Sequence, residues 1–197
     1  MDFVTPLHND TQKGYISTSN PDLEQLISLC VANDRSAQEQ LYKQYYGKMM
    51  GVCRRYFQNR DDAMEVLNCG FLKVYQNLKH YEQKGPFEAW IYRIIYNTII
   101  DFIRSKKTLA FQSTSDLDQL TPTASDLPLQ KLYADDLLKL LYQLPDATRT
   151  VFNMFAIDGY KHEEIAGILN ISEGTSKWHV NHARQQLKAL IERRILK

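Results

Sequence analysis

The stretch YKHEEIAGILNISEGTSKWHVNHARQQL, residues 160–187, decides how this chain is read, because it spells a helix, a tight turn and a second helix with a polar, basic outer side. Ile165, Ala166, Ile168 and Leu169 recur at the three- and four-residue spacing of one apolar helical stripe. Asn170 can end that helix, since asparagine tolerates the left-handed conformation found just past a helix C-terminus. Ile171 can plug the gap between the two helices, and Ser172 is a good N-cap for a helix opening with Glu173, an acid that the helix dipole favours there. In the second helix Val180, Ala183, Leu187 and Leu190 form the predicted buried seam. Thr175, Lys177, Trp178, Asn181, His182, Gln185 and Lys188 are left for other faces, where they can donate to phosphates and base edges. A helical hairpin is also a common packing unit with no function of its own. Trp and two His beside Lys and Arg on exposed sides favour insertion into DNA.

Composition narrows the class. At 197 residues and 44% hydrophobic content the chain can build one or two cores. The greasiest run, residues 91–103, is broken by Arg93, Asn97 and Asp101, so no bilayer span is predicted. The N-terminus lacks a basic-then-apolar signal, which predicts a cytoplasmic protein. Cys30, Cys53 and Cys69 are widely spaced in helical apolar surroundings and read as reduced buried or interface thiols, with no metal site.

A formal net charge of +1 looks unsuited to nucleic acid, but its distribution matters more than its sum. Residues 161–197 hold seven Lys or Arg against four Glu, and residues 90–107 hold four against the single Asp101. Residues 108–130 carry no Lys or Arg and three Asp, among Ser, Thr and Pro, without sustained periodicity. Two basic domains joined by a flexible acidic linker are predicted, the linker being either a passive tether or an occupant of a channel that nucleic acid later fills. A polar, disordered tail is expected over residues 1–19.

The front domain reads as helical throughout. Asn20 and Pro21 start a helix with Leu23, Leu26, Ile27, Cys30 and Val31 on one face. A second begins near Ser36 with Leu41, Tyr45, Met49 and Val52 in register. Asp61 and Asp62 are expected to cap a third, which carries Leu67, Phe71, Val74 and Leu78. After Gln83, Lys84, Gly85 and Pro86, a fourth runs from Phe87 to about Arg104 and turns Phe87, Trp90, Ile91, Ile94, Ile95 and Ile99 inward. For Trp90 this reading prevails over base stacking. Arg93, Asn97, Asp101 and Arg104 share the polar face, and spacing alone leaves a solvated face and a nucleic-acid contact equally open.

At these residues the chain resembles an extracytoplasmic-function sigma factor of the sigma-70 family. DAMEVLNCGFLKVYQNL (62–78) followed by FEAWIYRIIYNTIIDFIR (87–104) is similar to the family's second region, with residues 22–56 fitting its start. LPDATRTVFNMFAIDGYKHEEIAGILNISEGTSKWHVNHARQQL (144–187) is similar to the fourth. The resemblance implies an all-α protein with a four-helix region-2 domain over 20–107, a linker over 108–130 and a helix-turn-helix region-4 domain over 131–197. It implies a promoter-recognition subunit of RNA polymerase, with core polymerase (the beta-prime clamp helices and the beta flap), promoter DNA and an anti-sigma factor as partners. No cofactor and no small-molecule substrate are implied.

Site residues follow the same resemblance. Asp62, Glu65, Asn68, Cys69 and Leu72 fall where family members grip the clamp helices, and Asn68 and Cys69 stand where the family usually has Gln and Glu. The loop 80–87 and the helix after it resemble the part that captures unstacked minus-10 bases, with Arg93, Asn97, Arg104, Lys106 and Lys107 as the contacts. Thr175, Lys177, Trp178, Asn181 and His182 match positions that read or flank the minus-35 duplex, with Arg184 and Lys188 near its backbone. His179 and His182 replace the Arg common in the family, which predicts weak binding by this helix alone. Trp178 is placed either on a thymine methyl or sugar, or against the neighbouring helix.

Two other classes compete. A helix-turn-helix regulator that acts without polymerase would need a sensing front domain, and no phosphate-acceptor or Gly-rich pattern precedes the motif. An enzyme would need a convergent site. His162, Glu163 and Glu164 give half a zincin motif with Ala166 where the second His belongs, and His179 and His182 lack a third ligand, so no catalysis is predicted.

Overall fold

The computed structural model describes the backbone of residues 21–110 and 129–195 and the side chains of residues 22–106 and 135–193. The tail over 1–19 and nearly all of the 108–130 linker lie outside the described residues. Every regular element described is helical, and contacts divide the chain into two units that meet at residues 106 and 107.

In the front unit α1 (Pro21–Val31) opens with proline at its first position, where a missing N–H costs nothing. It stops at Asn33, whose φ of 62° is the left-handed geometry that asparagine accepts. Asp34 then caps α2 (Arg35–Tyr56) by accepting from the Ala37 amide at 2.8 Å. Ala37, Leu41, Tyr45, Met49, Val52 and Tyr56 make the buried stripe of α2. Val31, predicted to share the inner face of α1, is 44% exposed, whereas Cys30 beside it is buried.

The cap of α3 (Arg60–Asn77) is Asn59, which accepts from the Asp61 amide at 2.8 Å. Asp61 and Asp62, predicted as caps, lie within the first turn, where they complement the helix dipole. Val66, Leu67, Phe71, Val74 and Leu78 are buried at helical spacing. At Gly70 the missing side chain lets α3 approach Ile95 of α4 (Phe87–Ala110). The pairs Gly70 with Ile95 and Asp62 with Lys106 make α3 and α4 antiparallel, since stepping back along one advances along the other. Phe87, Ile91, Ile95 and Ile99 are buried as predicted, whereas Ile94 and Trp90 are only half-buried. The helix also runs six residues beyond the predicted end at Arg104.

The back unit comprises α5 (Leu129–Leu141), α6 (Asp146–Ala156), α7 (His162–Leu169) and α8 (Glu173–Ile195). Leu141, Leu144, Val151, Met154, Ile165, Leu169, Val180 and Ala183 form its interior. Arg149, 3% exposed, donates to the Leu144 carbonyl at 3.3 Å and pairs with Asp146 at 2.6 Å, while its guanidinium lies 5.6 Å from the Tyr142 ring centre. These two bonds tie the turn between α5 and α6 through a buried guanidinium.

Candidate functional site

The helix-turn-helix is assembled by local bonds. Glu164 reaches back to accept from the Lys161 amide at 2.7 Å, which starts α7. Asn170 ends it at φ 53°, and the Ile171 amide donates to the Ala166 carbonyl at 3.1 Å. Ser172 Oγ accepts from the Thr175 amide at 2.9 Å and starts α8.

One side-chain bond locks α7 to α8, and a second ties α8 to α6. His162 Nδ1 and the buried Ser176 Oγ share a hydrogen bond of 2.9 Å, with the imidazole stacked 4.4 Å from Phe155 of α6. His179 Nδ1 and the buried Thr148 Oγ1 share another of 3.0 Å. Burial, reinforced by Lys177 and Arg184 against the opposing Glu173, pulls His162 below the ordinary imidazole value. Neither bond was foreseen, although a His on α7 facing a small hydroxyl on α8 is the kind of pair a buried polar atom needs.

With α8 fixed, its outer side resolves into two adjacent rows, since residues three or four apart stand above one another. One holds Lys177, Asn181, Arg184 and Lys188, the other Trp178, His182 and Gln185. Lys177 pairs with Glu173 at 2.8 Å and Lys188 lies 3.9 Å from Glu192, so two of the basic row's three charges are answered within the helix. The lysine beside it holds the Glu173 carboxyl below its usual range. Arg184 stands 5.7 Å from the Phe155 ring centre. Thr175 is half-buried, its hydroxyl 2.9 Å from Ser172 Oγ. Trp178 is 57% exposed, and its ring neighbours, His182 and His179, belong to its own helix. Leu187 and Leu190, predicted as seam, are half-buried, Leu187 packing against the cluster of Leu141, Leu144 and Ala183.

In the front unit the residues assigned to unpaired DNA do not form one surface. Arg93 and Arg104 are exposed and Asn97 half-buried along one face of α4. Lys106 points to α3, pairing with Asp62 at 2.9 Å and standing 4.7 Å from the Phe102 ring centre. The Lys107 side chain lies outside the described residues. Asp101, on the same polar face, pairs with Lys73 at 3.1 Å.

A cleft of about 320 Å³ opens beside Arg93, lined by His80, Tyr81, Lys84, Pro86 and Trp90 among others. Its aromatic wall is built by Tyr81 and Trp90, 5.3 Å apart, with Phe87 stacked behind Trp90 at 5.6 Å. Tyr81 closes the loop by donating to the Gly85 carbonyl at 2.7 Å, and Gln83 turns it at φ 56°. Periodicity placed Trp90 in the core; the loop leaves one side of the indole open, so this residue joins the site. A partly exposed indole next to a guanidinium can take an unstacked base.

On α3, Glu65, Cys69 and Leu72 form an exposed row, Leu72 being 57% exposed. Asp62 heads that row, and Asn68, beside it, accepts from the Tyr42 hydroxyl at 2.9 Å. Cys30 and Cys53 are buried and Cys69 exposed. Burial pushes the Cys53 thiol up to about 12 and the Cys30 thiol above its ordinary value. Among the described residues, no three His, Cys, Asp or Glu side chains are grouped to hold a metal ion, and no helix is long and apolar enough to cross a membrane.

Residues 41–108 match the family described as Sigma-70 region 2, and residues 134–187 that described as Sigma-70, region 4. The chain is 30% identical over 166 residues to the ECF RNA polymerase sigma factor SigW of Bacillus subtilis, covering 79% of this chain and 89% of that protein. It is 26% identical over 155 residues to the ECF RNA polymerase sigma factor SigE of Mycolicibacterium smegmatis, spanning 76% of this chain and 60% of that relative. Among solved structures, the sigma factor RpoE of Bartonella quintana, in complex with the anti-sigma factor NepR, aligns with a TM-score of 0.48 at 19% identity, covering 78% of this chain and 96% of that one.

Proposed function

We propose a division of labour between the two units, proceeding from the fact that this chain belongs to the sigma-70 family of RNA polymerase sigma factors, in its extracytoplasmic-function group. The α3 row of Asp62, Glu65, Asn68, Cys69 and Leu72 docks on the polymerase clamp helices, with exposed Leu72 as its apolar anchor. The cleft at Trp90 and Arg93 receives a base unstacked from the minus-10 strand, and Asn97 and Arg104 follow that strand along α4. Lys106 and Lys107 contribute positive charge at the end of the same helix. α8 enters the minus-35 major groove, with Lys177, Arg184 and Lys188 toward phosphate and Asn181, Trp178 and His182 toward base edges, while Thr175 flanks them.

The single observation carrying this reading is that two helical units matching regions 2 and 4 follow one another in that order in one chain. Catalysis belongs to the polymerase, the beta flap holds the back unit, and the complex works in the cytoplasm. An anti-sigma factor covering these same faces is the regulator that family membership brings with it. Charges on α8 already answered by Glu173 and Glu192 make it a weak grip, so affinity is summed through the polymerase. Run-off transcription with core polymerase on a promoter library, with and without the protein, tests this. The expected result is selective initiation only when both are present; tight, specific binding by the free protein, with no association with core, overturns it and favours a polymerase-independent regulator.

A further inference from the structure

Trp178 is the most exposed large apolar residue described on α8, at 57% against 44% for Ile191. It stands opposite the buried seam of Ser176, Val180 and Ala183, at the centre of the solvent side, with more than half of a large apolar surface in water. It is nevertheless held. Its indole stacks on His182 at 4.8 Å and 13°, and meets His179 edge-on at 4.9 Å and 76°. His179 is in turn bonded at 3.0 Å to Thr148, which is 2% exposed, so a continuous chain of contacts runs from the core to the tip of the indole.

We propose that Trp178 and His182 form one preorganised aromatic wedge that reads thymine methyl groups in the minus-35 major groove, Trp178 being the specificity-determining residue and His182 its positioning support. This rests on the reading of α8 as the duplex-binding helix. Chemistry narrows what the wedge can recognise. An indole carries a single N–H donor and no charge, so it is poorly suited to phosphate, and the adjacent row of Lys177, Arg184 and Lys188 already serves that purpose. In a stacked duplex the one apolar group that the major groove offers is the C5-methyl of thymine. A ring already held against His182 and His179 loses less side-chain freedom when it makes that contact.

The test uses the full chain with core polymerase. Active promoters are first selected from a library randomised at minus-35, and each selected thymine is then replaced singly by deoxyuridine, which removes the methyl and nothing else. At one or two positions, initiation is expected to fall about fourfold, as for one methyl-sized group returned to water. With Trp178→Ala, whose folding is verified by circular dichroism, the thymine and deoxyuridine templates are expected to become equal at those positions; with His182→Ala the difference shrinks. The proposal is overturned if the unaltered protein treats both bases alike at every position, if Trp178→Ala keeps the discrimination, or if the selected promoters hold no thymine at minus-35. Failure of the sigma reading itself is separately visible as no selective run-off from any template, and it removes the proposal as well.

Discussion

Gly70→Ala sets two energies of opposite sign against each other at the crossing of α3 and α4. Removing a glycine from a helix interior gains about 1 kcal/mol in propensity. The new methyl would collide with Ile95 Cδ1 while lying 3.5 Å from Ile95 Cα, so the Ile95 side chain must move and the backbone need not. Ile95 is 0% exposed, and forcing such a side chain aside in a filled core costs about 1–3 kcal/mol. The net expectation is a loss of about 1 kcal/mol, or about 4–8 °C in the melting temperature of a domain this size. Ile95→Val deletes only the colliding atom, and costs about 0.5–1.5 kcal/mol alone. In the double variant the two changes should fit each other, giving a favourable coupling of about 1–2 kcal/mol. Urea unfolding followed by Trp90 fluorescence in a Trp178→Phe background reads the front unit alone, since the chain has two Trp. If Gly70→Ala stabilises by the full propensity term and the cycle shows no coupling, the close approach argued here is wrong.

Ser172→Ala should cost the back unit about 1 kcal/mol by removing the cap on the Thr175 amide, read as a lower urea midpoint of Trp178 fluorescence; an unchanged midpoint would deny the cap its role. An aromatic disulfide reagent should modify one thiol per native chain and three after unfolding, with Cys69 as the native site; protection of Cys69 on adding core polymerase would place it in the docked face. His162 binds its proton less readily folded than unfolded, so folding is favoured above the ordinary value of 6.5 and that contribution fades as pH drops from there through the lowered folded value. Acidification should therefore lower the melting temperature of the back unit, and His162→Gln should flatten that dependence; a steeper one would refute the sign.

The helix-turn-helix was legible because its signals are local: Asn170 turns left-handed and Ser172 caps, each by chemistry contained within a few residues. The core stripes of α2, α3 and α4 were legible for the same reason, as period alone sets which way a side chain leaves its helix. What escaped depends on partners distant in sequence. Three Asn and Asp side chains surround Arg60, all suited to capping, and only the path of the chain selects Asn59. Trp90 was read as core because its helical direction is inward, yet the turn at Gln83 and the Tyr81–Gly85 bond decide that one side stays open. Lys106 was grouped with Arg93 and Asn97 by charge, whereas the antiparallel course of α3 gives it to Asp62. Arg149 carries no sign in the sequence that it will be buried.

That pairing of Asp62 with Lys106 leaves the α3 row with Glu65 as its one exposed formal charge, beside the uncharged Asn68, Cys69 and Leu72. A largely uncharged contact is insensitive to ionic strength, while a contact to phosphate is screened by it. On the proposed division of labour, rising potassium chloride should strip promoter from the complex well before it strips this subunit from the polymerase. An intermediate concentration would then leave a DNA-free holoenzyme that can be isolated.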